Sequence, residues 1–109
     1  MPRVYVTNQS GHDFSAAEKF GELVYLSKGK INPFQVTKMY KEFVVHLDSS
    51  ASEDYILITG LSVMNSIAVA CMSYKHSRIN ILQWHEGEHR YKSRTIVMGE
   101  LLDKDNKEA

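Results

Sequence analysis

Tyr55-Ile56-Leu57-Ile58-Thr59 is an almost fully apolar stretch, followed at once by the turn signal Gly60-Leu61-Ser62. A β-branched, apolar run without polar alternation reads as a strand covered on both faces, the mark of the middle of a parallel sheet. Downstream, the turn opens a helix over about Val63 to Tyr74 that is apolar nearly all round and rich in small residues (Ala68, Ala70, Cys71, Ser73). Such a helix is expected to be buried on more than one side. In a chain of 109 residues a symmetry mate is the available second cover, so a homodimer is expected. After His76-Ser77, Arg78 to Trp84 reads as a fourth strand, and Tyr91 to Met98 returns as a fifth through a turn centred on Gly87.

Upstream of the central strand, Ser49 to Asp54 is a polar connector. Before it, Asn32-Pro33-Phe34-Gln35 supplies an N-cap, a proline at the first helical position and a capping-box glutamine. The helix it opens carries Phe34 or Val36, Met39, Tyr40, Phe43 and Leu47 on its inner face, Lys38, Lys41 and Glu42 on its outer face, and ends near Asp48. Glu22 to Leu26 is the second strand, followed by a turn over Ser27 to Ile31. Arg3 to Thr7 is the first strand, and Ser15 to Phe20 a short helix ended by Gly21. This order predicts an α/β fold over residues 1–102: a compact Rossmann-like sandwich with a mostly parallel sheet of about five strands and an antiparallel C-terminal hairpin. The alternative is an α+β domain whose first two strands pair antiparallel, because the first helix is short for a crossover. Residues 103–109 are charged, lack apolar anchors and are expected to be disordered.

Composition narrows the partners. Apolar residues make up 43% of the chain, enough for one core and not two. Thirteen basic and thirteen acidic residues cancel, so no global field draws in a nucleic-acid backbone or an anionic membrane, and nucleic acid is disfavoured. The longest apolar-rich run, Ile67 to Met72, is too short to span a bilayer, and Met1-Pro2-Arg3-Val4 enters a strand with no secretory signal pattern. A single cysteine, Cys71, inside an apolar run reads as a buried hydrophobe in a reducing cytoplasm.

Two loops are candidates for ligand binding. Asn8, Ser10, Gly11, His12 and Asp13 follow the first strand, where side-chain donors and acceptors, a close-approach glycine and the next helix start can hold a phosphate or carboxylate. The same residue types also build ordinary turns, with Asp13 or Ser15 as an N-cap. Gly60, Ser62 and Asn65 follow the central strand, Ser62 reading as a capping residue. If the strands are parallel, both loops share one edge of the sheet. Neither carries a dinucleotide glycine pattern or a phosphate-loop lysine, so no cofactor is implied.

His85-Glu86-Gly87-Glu88-His89 has the letters of a zinc-protease motif, which needs a helix. Here glycine and flanking strands make it a hairpin tip, and no metal site is expected. His12 with Asp13 also reads as a general-base pair, but adjacent side chains rarely point together and no serine or cysteine nucleophile is marked by a glycine elbow, so an enzyme is not the favoured reading. His46 and His76 read as structural. Trp84, Arg90 and Tyr91, together with Arg94, have the composition of a protein interface.

The run Val4-Tyr5-Val6-Thr7-Asn8, then Ser10-Gly11-His12-Asp13-Phe14, then Phe20-Gly21-Glu22-Leu23-Val24-Tyr25-Leu26 resembles a group of small accessory proteins of tailed bacteriophages without an assigned activity. The resemblance implies an accessory or anti-defence role in the infected bacterial cytoplasm. The leading expectation is a non-enzymatic domain that holds a small anionic or nucleotide-like ligand at its strand-end loops. The alternative is an interaction module whose hairpin binds and inhibits a bacterial host protein, and the third a metal-dependent or histidine-based hydrolase.

Overall fold

Tyr55–Leu57 forms β3, the middle strand of a five-stranded sheet in a computed structural model that describes residues 1–99. The segment 103–109, expected to be disordered, lies outside the described residues, as does the end of the predicted domain at 100–102. The other strands are β1 (Arg3–Val6), β2 (Glu22–Tyr25), β4 (Arg78–His85) and β5 (Arg90–Val97), and the sheet order is β2-β1-β3-β4-β5. β1 is parallel to both β2 and β3, β3 is parallel to β4, and only β5 is antiparallel, paired with β4 along its length. The fold is mixed α/β with a mostly parallel sheet, as expected.

The antiparallel alternative for the first two strands is excluded by the register Val4↔Leu23 and Tyr5↔Val24. The crossover is a 3-10 helix, Ser15–Phe20. At about 2 Å of rise per residue its six residues cover roughly the length of a four-residue strand, so a short helix suffices to bring the chain back to the start of β2. β2 joins β3 through α1 (Val36–Leu47), and β3 joins β4 through α2 (Ser62–Lys75).

Alternation along the strands divides the core in two. Tyr5, Ile56 and Ile79 pack with Met39, Phe43 and Leu47 of α1 and Met64, Ala68 and Met72 of α2. Val4, Val6, Leu57 and Leu82 point the other way, onto Phe14, Ala17 and Tyr91. Each fully buried aliphatic or aromatic side chain contributes about 1.5–3 kcal/mol. At the amino-terminal edge Asp54 accepts the amides of Arg3 at 2.9 Å and Ala51 at 2.8 Å, pinning β1 to the chain that enters β3.

Both helices differ from expectation. Asn32 does not cap α1: its Oδ1 accepts the Phe34 N–H at 3.0 Å and its carbonyl that of Gln35 at 3.1 Å, building a turn one step ahead of a helix that begins at Val36. Asparagine offers the backbone this local alternative wherever the chain is still bending. Phe34 or Val36, and Tyr40, expected inside, are 90%, 45% and 50% exposed, and the buried stripe of α1 is the narrower Met39-Phe43-Leu47. The prediction that α2 is buried on more than one side also fails within the single chain, where only Met64, Ala68 and Met72 are buried. The cause is topological. β4 and β5 are joined by a turn and not by a helix, so among the described residues α1 and α2 have no third helix beside them.

Candidate functional site

Because β1 to β4 run parallel, their carboxyl ends lie along one edge of the sheet. That edge carries the loop after β1, the turn after β2, the turn after β3 and the tip of the β4–β5 hairpin. β1 and β3 are neighbours with Val6 opposite Leu57, so the two loops singled out in the sequence leave the sheet side by side. From there the chain turns to opposite faces, the first into the 3-10 helix packed on Val4 and Val6, the second into α2 packed on Tyr5 and Ile56.

Within the first loop the residues divide by use. Asn8 is spent on structure: its amide donates to the Gly29 carbonyl at 2.8 Å, and its Oδ1 lies 2.9 Å from the Ser27 hydroxyl, which also donates to the Thr7 carbonyl at 2.7 Å. The backbone reinforces this, with Gln9 N–H on the Ser27 carbonyl at 2.9 Å and Gly29 N–H on the Gln9 carbonyl at 3.0 Å. Asp13 accepts the Ser15 N–H at 2.9 Å at the start of the 3-10 helix, and that backbone hydrogen bond holds its carboxyl below the usual carboxylate range. Ser10, Gly11 and His12 remain exposed. Gly11 has φ +97°, where a side chain is strained, and the His12 ring lies 6.1 Å from Phe14, tilted against it. Among the described residues no protein acceptor takes the amide N–H groups of Ser10, Gly11 or His12.

The second loop has the same division. Asn65 Oδ1 accepts the Thr59 N–H at 3.3 Å and closes the turn. Gly60 sits at φ +68°. Ser62 is not the cap expected of it: Leu61 holds that position without a side-chain bond, and Ser62 is the first helical residue. Its hydroxyl is left at the exposed start of α2.

The hairpin tip joins the same edge. His85 to His89 spans a turn, not a helix, so the two histidines are not one helical turn apart. His85 Nδ1 accepts the Glu88 N–H at 3.0 Å, while His89, at φ +53°, sets its ring 5.0 Å from Trp84. Trp84 donates to the Glu86 carboxylate at 2.7 Å and meets Tyr91 edge-to-face at 5.1 Å. Glu88 contacts Lys92 and bridges Arg90 at 2.8 Å; Lys92 first and Arg90 second lower its carboxyl to about 2. No group of three or more potential metal ligands converges among the described residues. Tyr91 is buried under the sheet with Phe14, while Trp84 and Arg90 face water. Burial, with a smaller contribution from Asp13, pushes the Tyr91 phenol up, so the hairpin base and the first loop share one environment.

A basic lip on this edge escaped the sequence reading. Lys28, Lys30 and Lys38 line a small polar pocket of about 120 Å³ with Asn32, Gln35 and Glu42, and Lys28 is tied to the first loop through its bridge to Gln9. The signal was available: Lys28-Gly29-Lys30 also follows a parallel strand. A larger, mainly apolar groove of about 810 Å³ lies on the helical layer between α1 and α2. Cys71 lines it, and burial pushes that thiol up, away from a reactive thiolate. No helix among the described residues is long and apolar enough to cross a membrane.

Compared with models of known families, residues 2–98 match the one described as Phage Pam3 gp32-like protein. No curated protein and no solved structure matches.

Proposed function

This chain belongs to the Phage Pam3 gp32-like protein family, and from that premise we propose that it is a non-enzymatic phage accessory domain that binds a small anionic, nucleotide-like ligand in the infected bacterial cytoplasm. One observation carries the reading. The loops after β1 and β3 emerge as neighbours at the carboxyl edge and part toward opposite faces, the position where open α/β sheets hold ligands. The strand order and the diverging connections also support a Rossmann-like sandwich. Ser10, Gly11, His12 and Gly60 supply donors for a phosphate, Ser62 adds a hydroxyl, and Lys28 and Lys30 lend positive charge at the lip. Asn8, Asp13 and Asn65 then act as positioning residues, holding the loops through the bonds described above.

The test is a titration of the ¹⁵N-labelled chain with inorganic phosphate and a panel of nucleotides, followed by amide resonances. Saturable shifts at Ser10, Gly11, His12 and Gly60 are expected. Ser10→Ala or His12→Ala should weaken binding about tenfold or more with an unchanged fold, since a hydrogen bond to a charged group contributes about 1.5–3 kcal/mol. No shifts with any anion would overturn the reading.

A second reading rests on the exposure of Trp84, 39%, beside the exposed Arg90 at the hairpin. There the hairpin grips a bacterial host protein, Trp84→Ala or Arg90→Ala abolishes the complex, and the loop variants leave it intact.

A further inference from the structure

We infer that the apolar groove between α1 and α2 is a self-association surface, covered in solution by the same groove of a second copy of this chain. The groove runs along the outer side of both helices. Val36, Tyr40 and Val44 on α1 face Ile67, Ala70 and Tyr74 on α2. Tyr74 is 96% exposed, Tyr40 50%, Val36 45% and Val44 37%. At about 150–250 Å² for a whole aromatic side chain and roughly 60–120 Å² for a valine, these four present on the order of 400 Å² of apolar surface. An interface of about 800 Å² per partner that is about two-thirds apolar, as homodimer interfaces are, needs about 520 Å², so these four side chains supply roughly three-quarters of what a standard dimer requires.

Three features select a second copy as the occupant. From Ser62 to Tyr74, α2 contains no charged residue, and the side chains it turns to the groove, Ile67, Ala70, Cys71 and Tyr74, are mainly apolar, so this strip gains from cover whenever the chain is folded. A partner present in step with every folded chain is another copy of it. The charges agree: the charged residues lining the groove, Asp48 and Lys75, lie 3.9 Å apart at one end and balance each other. Two such faces meet without a like-charge clash. Finally, the exposed Ala70, which lines the groove with Ile67 and Tyr74, is small enough to let a facing helix approach closely there.

Sedimentation of the full chain from micromolar to high micromolar concentration tests this, with the reactivity of Cys71, the one thiol, as a local probe. The expected result is a dimer whose Cys71 labels about tenfold more slowly than in the dissociated chain. Ala70→Glu and Tyr74→Glu, at exposed positions, should each give a folded monomer by circular dichroism with fast-labelling Cys71, while Trp84→Ala on the hairpin leaves the dimer intact. A monomer at every concentration, or a dimer that survives both glutamates with unchanged Cys71 reactivity, would overturn the proposal.

Discussion

Gly21 and Glu88 show how much a single residue carries that its letter does not announce. Gly21 reads as a helix terminator, and its N–H does return to the Glu18 carbonyl at 3.1 Å. Its second role is spatial. Here the chain enters β2 against Pro2, and a Cβ at Gly21 would fall inside the van der Waals shell of the Pro2 carbonyl oxygen, which also accepts the Glu22 N–H at 3.2 Å. Gly21→Ala therefore forces the first parallel pairing apart and should cost about 1–3 kcal/mol in urea denaturation. Gly29→Ala has open space around its Cβ but a φ of +75°, and it isolates the cost of backbone conformation from that of contact. Glu88 is a residue of charge. Lys92 and Arg90 hold its carboxyl at about 2 against an ordinary 4.5, so its folded-state value is depressed. The ion pairs are intact above pH 4.5 and are lost as pH falls toward 2. Carboxyl resonances followed through that window should give a Glu88 midpoint near 2, and Lys92→Ala should move it up more than Arg90→Ala does.

At the level of elements, legibility followed from where the physics is local. The strands were readable because burial on both faces removes alternation, as in Tyr55-Ile56-Leu57, and because Gly87 between two β-rich runs leaves only a hairpin. Helix margins were less so. Asn32 can cap a helix or close a turn with the same side chain, and the choice depends on backbone the sequence does not display. The same ambiguity runs through the candidate site. Parallel strands put both loops on one edge, which was readable, but Asn8 and Asn65 look alike in sequence whether free for a ligand or engaged with Gly29 and Thr59. Asn80 is the strongest such case, a buried amide inside β4. Its Nδ2 donates to the Ser52 and Asp54 carbonyls at 3.3 and 3.2 Å, and its Oδ1 accepts from Thr95 at 2.8 Å. It joins the entry to β3, β4 and β5, and with Arg78 also donating to its Oδ1 at 3.3 Å, Asn80→Ala leaves four partners short of a bond. The expected loss is about 1–3 kcal/mol in chemical denaturation, with Thr95→Val costing less because one bond goes and not four.

Over the whole molecule the sheet is covered unequally, and that asymmetry connects stability to the proposed site. One face lies under two helices of 12 and 14 residues; the other lies under a six-residue 3-10 helix whose one buried residue is Ala17. β2 stands at the edge and is buried nowhere along its length, with Glu22 exposed and Leu23, Val24 and Tyr25 half-buried. Opening the 3-10 helix exposes chiefly Ala17, Phe14 and the partly buried Phe20, whereas opening α1 or α2 exposes Phe43, Met64 and Met72 and breaks a longer ladder of hydrogen bonds. The layer with less buried surface opens first. Native-state hydrogen exchange should therefore find the amides of Ala17 to Phe20 and of β2 exchanging through a partial opening while β3, α1 and α2 exchange only with global unfolding. The first candidate loop, Ser10 to Asp13, leads directly into this weaker layer and is anchored to it through Asp13 and Phe14. A ligand held at Ser10, Gly11 and His12 binds neither the partly opened nor the unfolded form, so by linkage it must slow exchange at Ala17 to Phe20, and also at α2 and β3, by one common factor set by the ratio of free ligand to Kd. Slowing at α2 and β3 with Ala17 to Phe20 unchanged would instead place the ligand on the helical side, where the partly opened form still binds it.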